Sequence, residues 1–496
     1  MSGTMRTVAL VALVGALCVA CGQQTAPREP SVVRVGLPTV PLALDPHLHN
    51  EVVTFQTLHH VYDALTSFDA DGRVQAALAE SWETRGPTHW RFTLRDGVRF
   101  HDGTTLDAGD VVFSLERARA GPDHEIATYL IEIDSVRAID ERTIDVITRV
   151  PSPQLLARLA FVAILPGEAP PRLETPIGTG PWVWISADER QVQLRAFDGA
   201  WRGRPAFDRA ELTVIASPAE RVVALLEGRL DVTQTLRPED SAALEESRIA
   251  DWVAGPGLQV RYLAMRPTAE PFDDPRVRRA VDLALDRQAL VDSQLGGYGS
   301  VNRQLVSLDV FGYDPHLSAG GRDLATARRL IEEADAVDAR VRLEASRDGP
   351  AQIIARQLGE IGLDVEAVEL PWDELIERLD HGETDFFLGG VLAVTADASQ
   401  ILDAIFHAPD PKRGYGHNNP MGLAVPELDR LIEESGRALD PRARRDAMRR
   451  AMARGLEEHV YLGLYSRDNL FGLRRGLVWR PRLDGFVFAH DLEPAD

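Results

Sequence analysis

Four histidines lie within fourteen residues near the start of the chain: His47, His49, His59 and His60. Two imidazoles at suitable spacing can hold a transition metal. Here His59 and His60 are adjacent, so they point to different sides of a predicted helix, and no clustered carboxylates join them. A surface or cleft role without metal is the expectation. Asp69-x-Asp71-Gly72 has some of the residues of a calcium loop. Its glycine falls at the fourth place rather than the sixth and Arg73 holds the fifth, so it reads as a turn. Asn418 and Asn419 follow Gly414-Tyr415-Gly416-His417 and offer amides for polar ligand contacts, or simply form a turn. Hydrolase and nucleotide motifs of the types G-x-S-x-G, G-x-x-x-x-G-K-[ST] and H-E-x-x-H are missing. Binding rather than catalysis is therefore expected, with no cofactor and no metal.

Composition narrows the partners. The 496 residues carry 54 Lys and Arg against 76 Asp and Glu, a net charge of −22. Phosphate binding needs a basic face, so nucleic acid is excluded as a partner. With 44% hydrophobic and 26% charged residues the chain is globular, and its length calls for two or three cores. Residues 1–20 read as a signal peptide: Arg6 opens it, and Val8 to Ala20 is an apolar run of thirteen, too short to span a bilayer. The run ends at Leu17-Cys18-Val19-Ala20-Cys21, which resembles a bacterial lipobox with Cys21 as the lipidated first mature residue; an ordinary secretory signal cut nearby is the other reading. Residues 21–31 then form a polar tether. Cys18 and Cys21 are the only cysteines, so the mature chain must be held by core burial and not by disulfides.

The elements that must position these residues are most legible from Trp90 to Arg117. Trp90, Phe92 and Leu94 alternate with Arg91, Thr93 and Arg95, as in a strand with one buried face. Asp96-Gly97 makes a turn, and Val98 and Phe100 resume the alternation. Asp107 and Asp110 form a reciprocal cap for a helix whose apolar face is Val111, Val112, Leu115 and Ala118. Elsewhere the pattern predicts a first strand at Val32 to Leu37, a helix from Thr54 to Leu65, and a hairpin from Val136 to Val150. A capped helix begins at Asp274-Pro275, with Arg276, Arg278 and Arg279 facing outward or sideways. From 325 to 370 helices and strands alternate, which predicts a largely parallel α/β unit.

Several of these segments together resemble a known family. Leu44-Asp45-Pro46-His47, Val61-Tyr62-Asp63-Ala64-Leu65, Leu78-Ala79-Glu80-Ser81-Trp82, LRDGVRFHDGTTLDAGDVVFSLERA and PFDDPRVRRAVDLALDRQALV occur in the order seen in bacterial extracellular solute-binding proteins of family 5. These are the dipeptide, oligopeptide and nickel-type binding components of ABC importers. The likeness extends over about residues 32 to 490. It implies an α/β, periplasmic-binding-protein-like fold of type II in its large three-domain form, with two lobes, a hinge and an inserted middle domain. By position, lobe I would comprise 32–65, 178–258 and 468–496, the inserted domain 66–177, and lobe III 259–467. Pro176-Ile177-Gly178-Thr179-Gly180-Pro181-Trp182 would mark the return from the insertion.

The resemblance also implies where a ligand would sit. The segment after Leu-Asp-Pro places contributors at Asn50 and Val52. A second segment, in the peptide binders Gly-Trp-x-x-Asp-x-x-Asp-Pro, would pair its first Asp with a peptide's α-ammonium group. Counted without gaps, the Trp position is Val391 and the amine-binding position is Val394; Thr395 follows, and only the second acid remains, as Asp397. Three readings stay open. Asp397 takes over the amine, or the ligand has no α-amino group, or the fold is kept while peptide transport is lost. Asp397 could equally cap a helix at residues 398–406; as a ligand contact, its replacement by Ala would weaken binding and leave stability intact. The implied function is that of an exported, lipid-anchored, monomeric binding protein delivering a peptide or peptide-like solute to an ABC permease. The alternatives are a non-peptide solute or metal chelate, or a sensor signalling to a membrane receptor.

Overall fold

The computed structural model describes residues 31–170, 172–317, 320–347 and 349–495. The expected signal peptide, the expected lipidation site Cys21 and the expected tether up to residue 30 lie outside the described residues.

The first strand, Val32–Leu37, forms as its alternation predicts and sits inside a seven-stranded sheet. It pairs in parallel with Arg209–Val214 and Val232–Thr233; the outer strands Gln191–Ala196 and Trp182–Ala187 continue antiparallel. Toward the far edge Asn469–Arg474 lies between Val232–Thr233 and the edge strand Ala250–Gly255. This sheet therefore joins the first strand of the described chain to one near its end. Val33, Val35, Leu37, Trp182, Leu194 and Leu212 fill its core.

The next helix is shorter than predicted, Val52–Leu58 instead of Thr54 to Leu65. Its end is written in imidazoles: His59 Nδ1 lies 3.1 Å from the Phe55 carbonyl, and His60 Nδ1 lies 2.9 Å from that of Gln56. The Phe55 carbonyl also keeps the His59 amide at 3.0 Å, while at Gln56 the imidazole stands where the next helical N–H would bond. The Gly178-Thr179-Gly180 motif packs directly on the chain that follows. A Cβ at Gly178 would lie 2.1 Å from the Val61 carbonyl oxygen, so only glycine permits this approach.

Residues 79–148 contribute a four-stranded antiparallel sheet in the order Ala79–Gly86, His89–Leu94, Thr143–Thr148, Ile133–Ala138. The helix Ala108–Ala120 covers it, and both halves of the Asp107/Asp110 capping box are present. Val98 and Phe100 are buried as expected, but they do not continue as a strand; only an isolated bridge joins Arg99 to Thr105. A short hairpin, Thr66–Phe68 with Val74–Ala76, precedes this sheet.

The third sheet has six strands, ordered Gly299–Val301, Tyr461–Arg467, Gln259–Met265, Phe386–Leu392, Arg340–Ser346, Asp364–Leu370. It is mixed rather than largely parallel. Arg340–Ser346 is parallel to both its neighbours, joined to one through the helix Ala351–Gly359, while the other pairings are antiparallel. The reason is geometric. The chain enters this sheet at Gln259 and leaves it at Arg467, both beside the seven-stranded sheet, so neighbours that begin and end at the same edge must run oppositely. Asn469 ties the two crossings, its Nδ2 donating to the carbonyls of Pro256, Arg482 and Leu483 at 3.1–3.3 Å. Arg278, expected on the outer side of the helix Pro275–Ala284, is buried instead. It donates to the carbonyls of Phe272 and Glu458, which the turn leaves without backbone partners. No helix among the described residues is long and apolar enough to cross a membrane.

Candidate ligand-binding cleft

The helix Val52–Leu58 and the chain after it place Phe55, His59 and Asp63 on one wall of a chamber beside the double crossing. The hairpin brings Phe68, and the segment after the helix Leu155–Leu159 brings Phe161. The carboxy-terminal segment adds Arg482, Phe486, Phe488 and His490. Facing them from the six-stranded side are Leu258, Leu392 and Val394. The enclosed volume is about 100 Å³.

Phe55 organises the aromatic wall. Its ring centroid is 3.7 Å from that of His59, 5.0 Å from Phe161 and 5.5 Å from Phe486. Phe68 lies 5.6 Å from Phe161, and Phe488 stacks on His490 at 5.3 Å. Apart from the closer Phe55–His59 pair, these spacings are those of favourable tilted and offset aromatic pairs. Burial holds the imidazoles neutral, with His59 lowered to about 4 and His490 to about 3.

The charged groups around the chamber are spent on one another. Asp63 pairs with Arg202 at 3.2 Å and accepts hydrogen bonds from Trp201 Nε1 and Thr179 Oγ1 at 2.8 and 3.0 Å. The Arg202 guanidinium rests on the Trp201 ring, 4.5 Å from its centroid. Arg482 donates to Asp484 at 2.7 Å and to the carbonyls of Phe68 and Asp69, while its guanidinium lies 5.0 Å from the Phe488 centroid.

A larger cavity of about 1080 Å³ opens beside the chamber. Gly72 at the hairpin tip, Ala396 and Leu483 separate the two. A Cβ on Gly72 would stand 2.8 Å from Ala396 Cβ and 3.2 Å from Leu483 Cδ2, so the bodies touch there. The Asp69–Gly72 segment is the turn predicted: Asp69 Oδ1 accepts from the amides of Asp71 and Arg73, and Gly72 has φ +73°.

Of the residues expected at the site, only three lie along this seam. Val394 faces the chamber, and Thr395 and Asp397 line the larger cavity. Thr395 donates its hydroxyl to Gln400 Oε1 at 3.0 Å. The Asp397 carboxylate is fully engaged. Arg444 donates to both its oxygens, at 2.6 and 2.9 Å, and Ser399 donates its amide at 3.0 Å and its hydroxyl. Ser399 also receives Gln154 Nε2 from across the seam. Val391 pairs with Val260 within the sheet and lines neither cavity. Asn50 and Val52 are exposed outside both cavities; the Asn50 amide donates to Glu125. Asn418 is exposed, and buried Asn419 is a loop fastener, bonded to the carbonyls of His407 and Leu423, the Leu423 amide and the Tyr461 hydroxyl.

The histidines divide similarly. His59 alone of the four lines the chamber, while His47 and His60 are buried and spend ring nitrogens on Ala163 and on Gln56 and Ala489. Among the described residues no group of three or more His, Cys, Asp or Glu side chains could hold a metal ion. The residues that sequence reasoning missed are Phe55, Phe161, Phe486 and Phe488. The alternation Phe486-x-Phe488-x-His490 was the one local signal available.

Residues 73–412 match the family model described as "Bacterial extracellular solute-binding proteins, family 5 Middle". The chain belongs to this family. A relative, "Di/tripeptide-binding protein 2" of Pseudomonas aeruginosa, is 29% identical over 417 residues, covering 75% of this chain and 78% of its own. "Heme-binding protein A" of Haemophilus influenzae is 25% identical over 440 residues, 80% of each chain. Among solved structures, that of NikA from Brucella suis in complex with Fe(III)-EDTA superposes with a TM-score of 0.83 over 93% of this chain and 99% of its own, at 22% identity. Family 5 is thus the source of the two-lobed α/β fold, and its members are solute-binding proteins.

Proposed function

We propose that this family 5 protein is the extracytoplasmic substrate-binding component of an ABC importer. It takes up a peptide or peptide-like small solute between its lobes, encloses it by closure, and presents it to membrane permease subunits without performing chemistry. The observation that carries this reading is the chamber itself, whose two walls come from opposite sides of the double crossing at residues 255–259 and 467–469. A cavity built that way opens and shuts with the hinge. Sheet membership supports lobe I as 32–65, 178–258 and 468–496, the insertion as 66–177, and lobe III as 259–467. Export by residues 1–20, lipidation at Cys21 and a monomeric state complete the proposal. A non-peptide solute or a chelate is the second reading, favoured by Val394 in the place of a carboxylate.

The test is a thermal-shift screen of the purified protein against di- and oligopeptides, amino acids, sugars and metal chelates, with small-angle scattering to follow closure. A solute at one hundred times its Kd adds about 2.7 kcal/mol to stability. A stabilising solute that also contracts the particle supports the reading; no response to any solute by either method removes it.

A further inference from the structure

Within the chamber the two walls have different chemistry and the same polarity. One is a set of rings, Phe55, Phe161, Phe486 and Phe488 among them, and the other is aliphatic, built from Leu258, Leu392 and Val394. The volume of about 100 Å³ has room for a single ring-sized group; an apolar cavity of about 150 Å³ is known to hold benzene. The lining charges are engaged with one another: Asp63 pairs with Arg202 at 3.2 Å, and Arg482 is shared between Asp484 at 2.7 Å and Asp491 at 3.8 Å, where burial raises the Asp491 carboxyl toward its neutral form. A charged group entering here would lose its water and find the counter-charges already engaged. The imidazoles do not supply one, since burial keeps His59 and His490 neutral. One polar atom does stand unused: His490 Nδ1 is buried without a hydrogen-bond partner.

We propose that the chamber selects a solute carrying an uncharged aromatic ring, seated among Phe55, Phe161 and Phe486 and covered by Val394 on closure. This rests on the cleft being the solute site, and it narrows the ligand class: the group that reaches Val394 is a ring and not an ammonium. The remainder of a larger solute extends past the Gly72–Ala396 seam into the open cavity, which Arg445 and Arg449 line.

The test uses three probes that share one ring and differ in charge: benzyl alcohol, benzylammonium and benzoate. Each is titrated into the purified protein and read by saturation-transfer NMR and thermal shift, alongside Val394→Phe, which fills the chamber, and Val394→Ala, which enlarges it. The expected result is saturable binding of benzyl alcohol at least tenfold tighter than either ion, lost in Val394→Phe and kept in Val394→Ala. Unfolding of the ligand-free variants establishes that both remain folded. Equal or tighter binding of an ion, insensitivity to Val394→Phe, or silence from all three probes overturns the proposal. If another solute closes the lobes in scattering while the ring probes stay silent, the aromatic assignment fails and the cleft reading stands. If no solute of the wider screen acts at all, the cleft reading fails as well.

Discussion

Replacing Asp397 by Ala separates an anchoring role from a structural one, and the geometry predicts which is found. Arg444 is 6% exposed and Asp397 8%, and they meet through two hydrogen bonds of 2.6 and 2.9 Å. Removing the carboxylate leaves a buried guanidinium with the Ser399 hydroxyl, at 2.8 Å, and the Phe311 ring, 5.4 Å to its centroid, but no counter-charge bonded to it. Breaking a buried pair from one side costs about 3–5 kcal/mol. Arg444 borders the larger, open cavity, so water can partly solvate it and the lower end, about 3 kcal/mol, applies. For a cooperative unit the size of the six-stranded lobe this lowers Tm by roughly 6–12 °C. Asp397→Ala/Arg444→Met removes both charges and should recover most of that loss, to within about 1 kcal/mol of the wild type. The assay is denaturant unfolding of the wild type, both single variants and the double variant. If Asp397→Ala unfolds like the wild type, the pair is not structural and the carboxylate is free for a ligand, as the sequence alone suggested.

Three further outcomes follow from the same contacts. Asn469→Ala should loosen the crossing it ties at Pro256 and Leu483, raising amide exchange at Gly257 and Leu258 and costing about 1 kcal/mol or more. Gly72→Ala combines a left-handed φ of +73° with a Cβ 2.8 Å from Ala396. It should hold the lobes apart, seen as a larger radius of gyration in the presence of solute and at least tenfold weaker binding. Acid should destabilise the protein earlier than carboxylate titration alone predicts. His47 and His59 are lowered to about 4, and His60 and His490 to about 3, each chiefly by burial. Their folded values lie below the unfolded value near 6.5, so this stability is fully present above about pH 6.5 and is lost as pH falls toward 4, by up to about 1.4 kcal/mol per pH unit for each group. His60→Gln should flatten that slope in unfolding curves recorded from pH 7 to pH 4.

The candidate site was less legible than the fold, and Asp397 shows why. Its partner lies forty-seven positions away on the helix Pro441–Glu457. That helix also carries Arg442, Arg445, Arg449 and Arg450, and nothing local distinguishes the one arginine that turns inward. The gapless count from the peptide binders did bring Val394, Thr395 and Asp397 to the seam, but it did not reveal that the carboxylate was already occupied. Asn419 looked like a ligand amide for the same reason: a buried fastener and a binding group have the same sequence signal.

What the sequence determined by itself was local or ordered along the chain. The alternation at Trp90 to Leu94, the Asp107/Asp110 capping box and the strand Val32–Leu37 depend on residues within a few positions of one another, so short-range sterics and hydrogen bonding decide them. The succession of motifs was enough to indicate the family and hence the two-lobed fold. Tertiary structure alone decided the chamber, because Phe55 and Phe486 meet only after the chain has built a second sheet and returned. It also decided the mixed pairing of that sheet: the chain must enter and leave at the same edge, a constraint on path that no periodicity of side chains records.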